Sequence, residues 1–194
     1  MTGHRLVLAS TSRYRRELLE RLRVPFETCA PGVDEDALRD PGAGPLEVAT
    51  ALARHKALAV YALRPTAVVI GSDQVCALDE EVLGKPHDTA RAVAQLGRLR
   101  GRSHRLITAV AIAHAGGVVA FADVATLTMR ALHDDEIERY VAQDEPFDCA
   151  GSYRIEGQGI ALFQRVACED WTAIVGLPLL VTARALRELG FDVP

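Results

Sequence analysis

The sequence predicts an α/β protein with a mixed β-sheet flanked by helices, and three observations carry that expectation. Short apolar runs that suit interior strands, RLVLA at residues 5–9 and AVVI at residues 67–70, each adjoin a stretch whose apolar residues recur at helical spacing. Two longer strand-like runs, residues 105–113 and 118–132, flank Gly116 and Gly117 and read as an antiparallel hairpin. Strands linked through helices and strands linked by a tight turn do not all run one way, so the sheet is mixed.

The first run ends in LASTSRYRRELLERL, Leu8 to Leu22: a strand end, a hydroxyl-rich turn, then a helix with Tyr14, Leu18, Leu19 and Leu22 on its apolar face. Ser10, Thr11 and Ser12 offer N-caps, and none has the Glu or Gln three residues on that closes a capping box. Arg13, Arg15 and Arg16 fall where the helix macrodipole is already positive, a place where an acidic residue is favoured by a few tenths to about 1 kcal/mol. Backbone N–H groups, hydroxyls and guanidinium groups gathered at a helix start suit a phosphate. The plain alternative leaves the arginines in water, with Ser12 as a simple cap.

RVPFETCAPGVDED, residues 23–36, is extended and broken by Pro25 and Pro31, and it presents Asp34, Glu35 and Asp36. Pro41, Gly42, Gly44 and Pro45 mark a loop, and Pro45 starts a helix to about Leu63 with an apolar stripe through Ala49, Leu52, Ala53, Val60 and Leu63. Lys56 falls inside that stripe, where a lysine either snorkels to the edge of the core or leans toward an anion. Gly71, Ser72, Asp73 and Gln74 are expected at the carboxyl end of the 67–70 strand, the edge where open α/β sheets hold ligands. Asp73 there either caps a turn or binds metal and activates water. Valine and leucine on both sides of Asp79, Glu80 and Glu81 predict a hairpin ending in Gly84, Lys85 and Pro86, which returns Lys85 toward Asp73.

Asp88 or Thr89 caps a third helix with Val93, Leu96 and Leu99 inside and Gly101 at its carboxyl end. Asp134 and Asp135 begin a short helix with Ile137, Tyr140 and Val141 on one face. In DEPFDCAGSYRIEGQGIALF, Gly151, Gly157 and Gly159 surround Glu156, freeing the backbone to approach a ligand or to form an ordinary surface loop. The last helical stretch, VGLPLLVTARALRELG, carries Leu180, Ala183, Leu186 and Leu189 as its stripe and Gly190 as its stop.

A chain of 194 residues, 49% apolar, suits a single domain over residues 1–194 whose core needs neither disulfide nor metal staples. A net charge of −4 offers no general attraction to nucleic acid, so any phosphate binding comes from a local basic pocket, which a nucleotide fits better than a duplex. Cys29, Cys76, Cys149 and Cys168 are far apart and form no C-x-x-C pair, which argues against zinc or a disulfide framework and for a reducing compartment. The run Leu6 to Ala9 is too short for a signal-peptide core and no apolar run is long enough to span a bilayer, so the expectation is a cytoplasmic protein without a membrane partner.

No Walker A sequence, dinucleotide fingerprint, H-E-x-x-H motif or nucleophile elbow occurs. Two sets of opposite charge remain: Arg13, Arg15, Arg16, Lys56 and Lys85 against Glu35, Asp73 and Glu156. Cationic side chains hold phosphates and carboxylates bind Mg²⁺ or Mn²⁺ through oxygen, which points to metal-assisted attack on a phosphate ester or anhydride.

Taken together and in order, LASTSRYRRELL, VDED, GSDQV, LGKP, AGSYRIEGQG and VGLPL resemble the motifs of the Maf family of nucleoside triphosphate pyrophosphatases over nearly the whole chain. The resemblance implies an elongated, ITPase-like mixed sheet with two lobes and a central cleft, a divalent cation (Mg²⁺ or Mn²⁺), a homodimer, and hydrolysis of a nucleoside triphosphate to its monophosphate and pyrophosphate. It implies Asp73 as proton acceptor, Glu35 and Asp73 as metal ligands, Lys85 as a further catalytic group, and Ser10, Ser12, Arg15 and Lys56 on the phosphates. Tyr14, Gln74 and Glu156 match the branch acting on 7-methyl-GTP, whereas the branch acting on dTTP and UTP has Arg, Thr and Gln there. Physically, an aromatic ring stacks on a cationic methylated purine, and a carboxylate accepts from a guanine edge while offsetting its charge. Two positions depart: Arg13 stands where the family has Pro, and Ile155 is similar to the pyrimidine branch. The alternatives are a dTTP/UTP-preferring pyrophosphatase and a non-catalytic nucleotide-binding regulator, given the family's association with cell-division arrest.

Overall fold

The computed structural model describes residues 5–38, 40 and 42–193, so Pro41 of the expected loop lies outside the described residues. Its sheet is mixed, in the order β2-β1-β3-β5-β6-β7, with β4 attached to β3. The strands are β1 (Leu6–Ala9), β2 (Phe26–Thr28), β3 (Val68–Leu78), β4 (Glu81–Leu83), β5 (Ser103–His114), β6 (Gly117–Met129) and β7 (Phe163–Ala167). The helices are α1 (Arg13–Glu20), α2 (Pro45–Leu63), α3 (Thr89–Leu99), α4 (Asp134–Asp144), α5 (Trp171–Val175) and α6 (Leu179–Glu188). The chain folds as two compact units, one made of the residues up to Asp73, Thr108–Asp123 and the chain from Asp170 on, the other of Gln74–Ile107 and Val124–Glu169.

In the first unit β1 is paired in parallel on both sides, Leu6 with Phe26 of β2 and with Val68 of β3. All four of its residues are buried, which is why it reads as an unbroken apolar run. Leu6, Leu8, Val68, Ile70, Val110 and Ile112 from the strands meet Leu18 and Leu19 of α1 and Leu186 of α6 in one core cluster. The bounds of α2 agree with the expected Pro45 to Leu63, and the Gly44 N–H donates to Glu47 Oε2 at 3.0 Å. This helix lies against the backbone of β3, for a Cβ at Gly71 would stand 2.4 Å from Ala53 O and 2.5 Å from Ala57 N. Asp170 caps two helices with one carboxylate: Oδ1 accepts from Thr172 N at 2.9 Å and Oδ2 from Leu180 N at 2.8 Å.

In the second unit the expected hairpin forms, with Leu78 paired to Glu81 and Cys76 to Leu83 around a turn in which Asp79 has φ 55°. Asp88 caps α3 by accepting from Arg91 N at 2.8 Å, and Gly101, with φ 69°, follows the helix. α3 packs against α4, whose buried face is Ile137, Tyr140, Val141 and Asp144. All four cysteines are free thiols.

Several expectations need correction. The strand of residues 67–70 does not end there: β3 runs on to Leu78, so Asp73 sits mid-strand rather than at a carboxyl end. What ends nearby is β1, whose last pairing is Ala9 with Gly71. In α3 the buried residues are Ala92 and, as expected, Leu96 and Leu99, with Val93 only half-buried. In α6 the buried face is Thr182, Ala185 and Leu186, and Leu180 is 65% exposed. Thr182 is held inside because its hydroxyl donates to Pro178 O at 2.7 Å, which removes the cost of burying it. The short elements β2, β7 and α5 carry too few residues to show a period.

Candidate active site

The centre of the site is an ammonium between two carboxylates. Gly71 admits α2 to the β3 backbone, and that approach brings Lys56 to Asp73. Lys56 Nζ donates to Asp73 Oδ1 at 2.6 Å and lies 2.7 Å from Glu35 Oε1. The Lys56 and Asp73 side chains are only 6% and 7% exposed, so each depends on the other for the hydration it lost. Glu35 reaches them from the turn at residues 35–38, ahead of α2, with 40% of its side chain exposed. Lys56 therefore resolves as the lysine that leans inward to an anion, held there by burial.

Arg15 turns toward the same carboxylates. Its Nε donates to Gly176 O at 3.0 Å, and Ser72 Oγ donates to that same carbonyl at 3.1 Å. Burial lowers the Arg15 pKa from its ordinary value while Asp73 and Glu35 oppose the fall, so the guanidinium keeps its charge. Gly176 closes α5 with φ 129°, and a Cβ there would lie 3.7 Å from both Cγ and Nε of Arg15. The carbonyl end of α5 is thus the seat of Arg15, where the helix dipole favours a cation. Thr108 Oγ1 donates to Ala173 O at 2.8 Å and ties the same helix to β5.

The turn between β1 and α1 holds the hydroxyls. Ser10 is buried and its Oγ accepts from Ser12 N at 3.1 Å, while Ser12 Oγ accepts from Arg15 N at 3.4 Å. Each hydroxyl still carries a proton to donate, and a phosphate oxygen accepts it. The three arginines divide. Arg13 lies 4.7 Å over the Tyr14 ring and donates to its hydroxyl at 2.7 Å, and Arg16 pairs with Glu20 at 3.6 Å in an exposed i,i+4 contact. Of the three, Arg15 is the one that meets the carbonyl end of α5, whereas Arg13 lies over Tyr14 and Arg16 beside Glu20.

Gln74, Lys85 and Glu156 belong to the second unit. Gln74 follows Asp73 along β3 and so projects to the opposite face of the strand. Lys85 is exposed just beyond β4, and Glu156 is exposed in the turn before the 3₁₀ segment Gln158–Leu162. Beneath that loop, Tyr153 is buried against Phe163 and its hydroxyl lies 2.8 Å from His104 Nε2.

Hard oxygen donors converging on one cation fit Mg²⁺ or Mn²⁺, since Glu35 and Asp73 already share the ammonium of Lys56. Among the described residues no group of three or more His, Cys, Asp or Glu side chains is arranged to hold a metal. Glu35 and Asp73 are the two oxygen donors here that would hold such an ion. Sequence reasoning placed Gly71 and Ser72 beside Asp73 and quoted Gly176 within VGLPL but gave none of the three a role; their roles are contacts at long range, with no local signature.

The family model described as Maf-like protein matches residues 5–189 of the chain. A 7-methyl-GTP pyrophosphatase of Xanthomonas campestris pv. campestris is 51% identical over 191 residues, covering 98% of each chain. One of Aromatoleum aromaticum is 50% identical over 196 residues, covering 100% of each. The structure of a HAM1 protein from Coxiella burnetii is similar with a TM-score of 0.52, covering 95% of this chain and 99% of that one at 17% identity, a likeness of fold alone.

Proposed function

Since the chain belongs to the Maf family, we propose that it is a nucleoside triphosphate pyrophosphatase hydrolysing 7-methyl-GTP to 7-methyl-GMP and pyrophosphate. The observation that carries the reaction is the convergence of Asp73, Glu35, Lys56 and Arg15 beside the serine turn that follows β1. The substrate is supported by the full-length similarity to proteins named for that nucleotide, together with Tyr14, Gln74 and Glu156.

In this mechanism Asp73 orients the attacking water and takes its proton as the new oxygen bond to the α-phosphorus forms. The bond from that phosphorus to the bridging oxygen breaks, and its electron pair leaves with pyrophosphate. Lys56 keeps Asp73 and Glu35 facing one another, and Glu35 and Asp73 would hold a divalent cation. When bound, that cation neutralises charge on the phosphate and polarises it toward attack. Arg15, Lys85, Ser10 and Ser12 hold the triphosphate oxygens. On the base side, Tyr14 stacks on the cationic purine with the face opposite Arg13, and Glu156 accepts from the guanine edge. A cytoplasmic homodimer belongs to the same proposal, and sedimentation of the purified protein tests the dimer.

The deciding experiment measures products and kcat/KM for 7-methyl-GTP, GTP, dTTP and UTP with Mg²⁺ or Mn²⁺. Pyrophosphate is expected under multiple turnover, with 7-methyl-GTP preferred. Orthophosphate in its place would overturn the reaction, and a lead for dTTP and UTP would overturn the roles of Tyr14, Gln74 and Glu156. Tight binding without turnover would favour a regulator.

A further inference from the structure

Two loops of the second unit carry site candidates, and one side chain touches both. Gln95, on α3, donates from Nε2 to Gly84 O at 3.0 Å, and Gly84 immediately precedes Lys85. Its Oε1 accepts from Ser152 Oγ at 2.5 Å, in the loop that leads to Glu156. The orientation of the carboxamide follows from the chemistry, because a backbone carbonyl can only accept; the amide nitrogen faces Gly84 and the oxygen faces Ser152.

Both attachments are held in fixed positions. Ser152 is 0% exposed with φ 62°, and it follows Gly151 at φ 81°. A Cβ at Gly151 would fall 2.7 Å from the Tyr153 ring and 3.1 Å from Cys76 Sγ, so the backbone there has no room to slide. Beyond Ser152, Tyr153 is held by His104, and Arg154 N donates to Tyr140 OH at 2.9 Å. On the other side, Gly84 adjoins the last residue of β4, and Pro86 restricts the backbone of Lys85 to extended conformations.

We propose that Gln95 is a positioning residue for the reaction proposed above, on which this inference rests: it couples the Lys85 loop to the Glu156 loop, so that the phosphate and base contacts are set together. With the two loops held in one register, Lys85 stands ready for the phosphates of a substrate whose base Glu156 has bound, so loss of Gln95 weakens the link between base recognition and turnover.

Three variants separate the arms of the coupling. Gln95→Leu removes both hydrogen bonds, Gln95→Glu keeps the acceptor for Ser152 but sets a carboxylate oxygen against Gly84 O, and Ser152→Ala removes only the other arm. Hydrogen exchange on the intact protein reads the coupling without any activity. In Ser152→Ala, exchange should rise about 10-fold at residues 84–88 as well as in its own loop, the loss expected for one net hydrogen bond, while α3 stays protected. Unchanged exchange at residues 84–88 would overturn the coupling. In kinetics, Gln95→Leu should lower the ratio of kcat/KM for 7-methyl-GTP over GTP by about 10-fold, and the change should vanish in a Glu156→Gln background. A loss equal for both nucleotides is what reduced folding alone produces, and it would refute the positioning role. Were the wild-type protein to release no pyrophosphate, the proposed reaction would fall, and the exchange result would still decide whether Gln95 couples the loops.

Discussion

Lys56→Met is the most informative single change to the candidate site. Methionine keeps the unbranched stem that lies within α2 and removes only the ammonium. Asp73 then loses its 2.6 Å partner while its side chain stays 7% exposed, so water cannot take the place of the lost charge. Removing one member of a buried pair costs about 3–5 kcal/mol when the other charge is left uncompensated, and the lower end applies here because the Arg15 charge also acts on Asp73. Glu35, with 40% of its side chain in solvent, rehydrates and adds little. For a domain whose whole stability is about 5–15 kcal/mol, that loss is plain in a urea midpoint. The companion variant is Lys56→Met with Asp73→Asn, which also removes the stranded charge and should recover about half or more of the loss, since a neutral hydrogen-bonding group costs far less to bury. The assay is a double-mutant cycle of denaturation free energies at neutral pH. A single variant as stable as wild type, or a double variant no more stable than the single, would refute the claim that Lys56 is there to compensate Asp73.

Gly71→Ala should destabilise the protein by about 3 kcal/mol or more, since the new Cβ meets backbone atoms of α2 at 2.4 and 2.5 Å that cannot turn aside, and a wild-type Tm would show that α2 does not need this approach. Asp73→Asn should lower pyrophosphate release about 100-fold or more while calorimetry still finds nucleotide binding, and substantial residual turnover would remove Asp73 from the role of base. His104 is buried with an unpaired Nδ1, and desolvation pushes its pKa down to about 4, below the ordinary 6.5 of an unfolded chain. Its folded form binds fewer protons in that window, so its contribution is complete above pH 6.5 and is lost on acidification toward pH 4, by about 3 kcal/mol in all. His104→Gln should flatten that part of the stability profile, measured as denaturation free energy against pH, and an unchanged slope would assign the acid loss to other groups.

Local pattern alone decided much of this protein. The helical periods of α1, α2 and α4, the apolar run of β1, the β3–β4 and β5–β6 turns and the Pro45 start are all written in neighbouring residues, because capping, spacing and turn chemistry act over a few positions. The order of six short motifs also carried the family. The length of β3 was hidden, since Gly71-Ser72-Asp73-Gln74 reads as a break until α2 is seen covering the glycine. The orientation of the arginines was hidden too: Arg13, Arg15 and Arg16 look alike in sequence, and only the Gly176 carbonyl at the end of α5, 161 residues away from Arg15, separates the one that faces the carboxylates. Lys56 could be read as either snorkelling or inward, and contact with Asp73 and Glu35 chose. Which residue types this chemistry needs is a local matter. Which of those residues meet, and which charges are stripped of water when they do, depends on contacts between segments distant along the chain, and those exist only once the strands have paired and α2 has closed over Gly71.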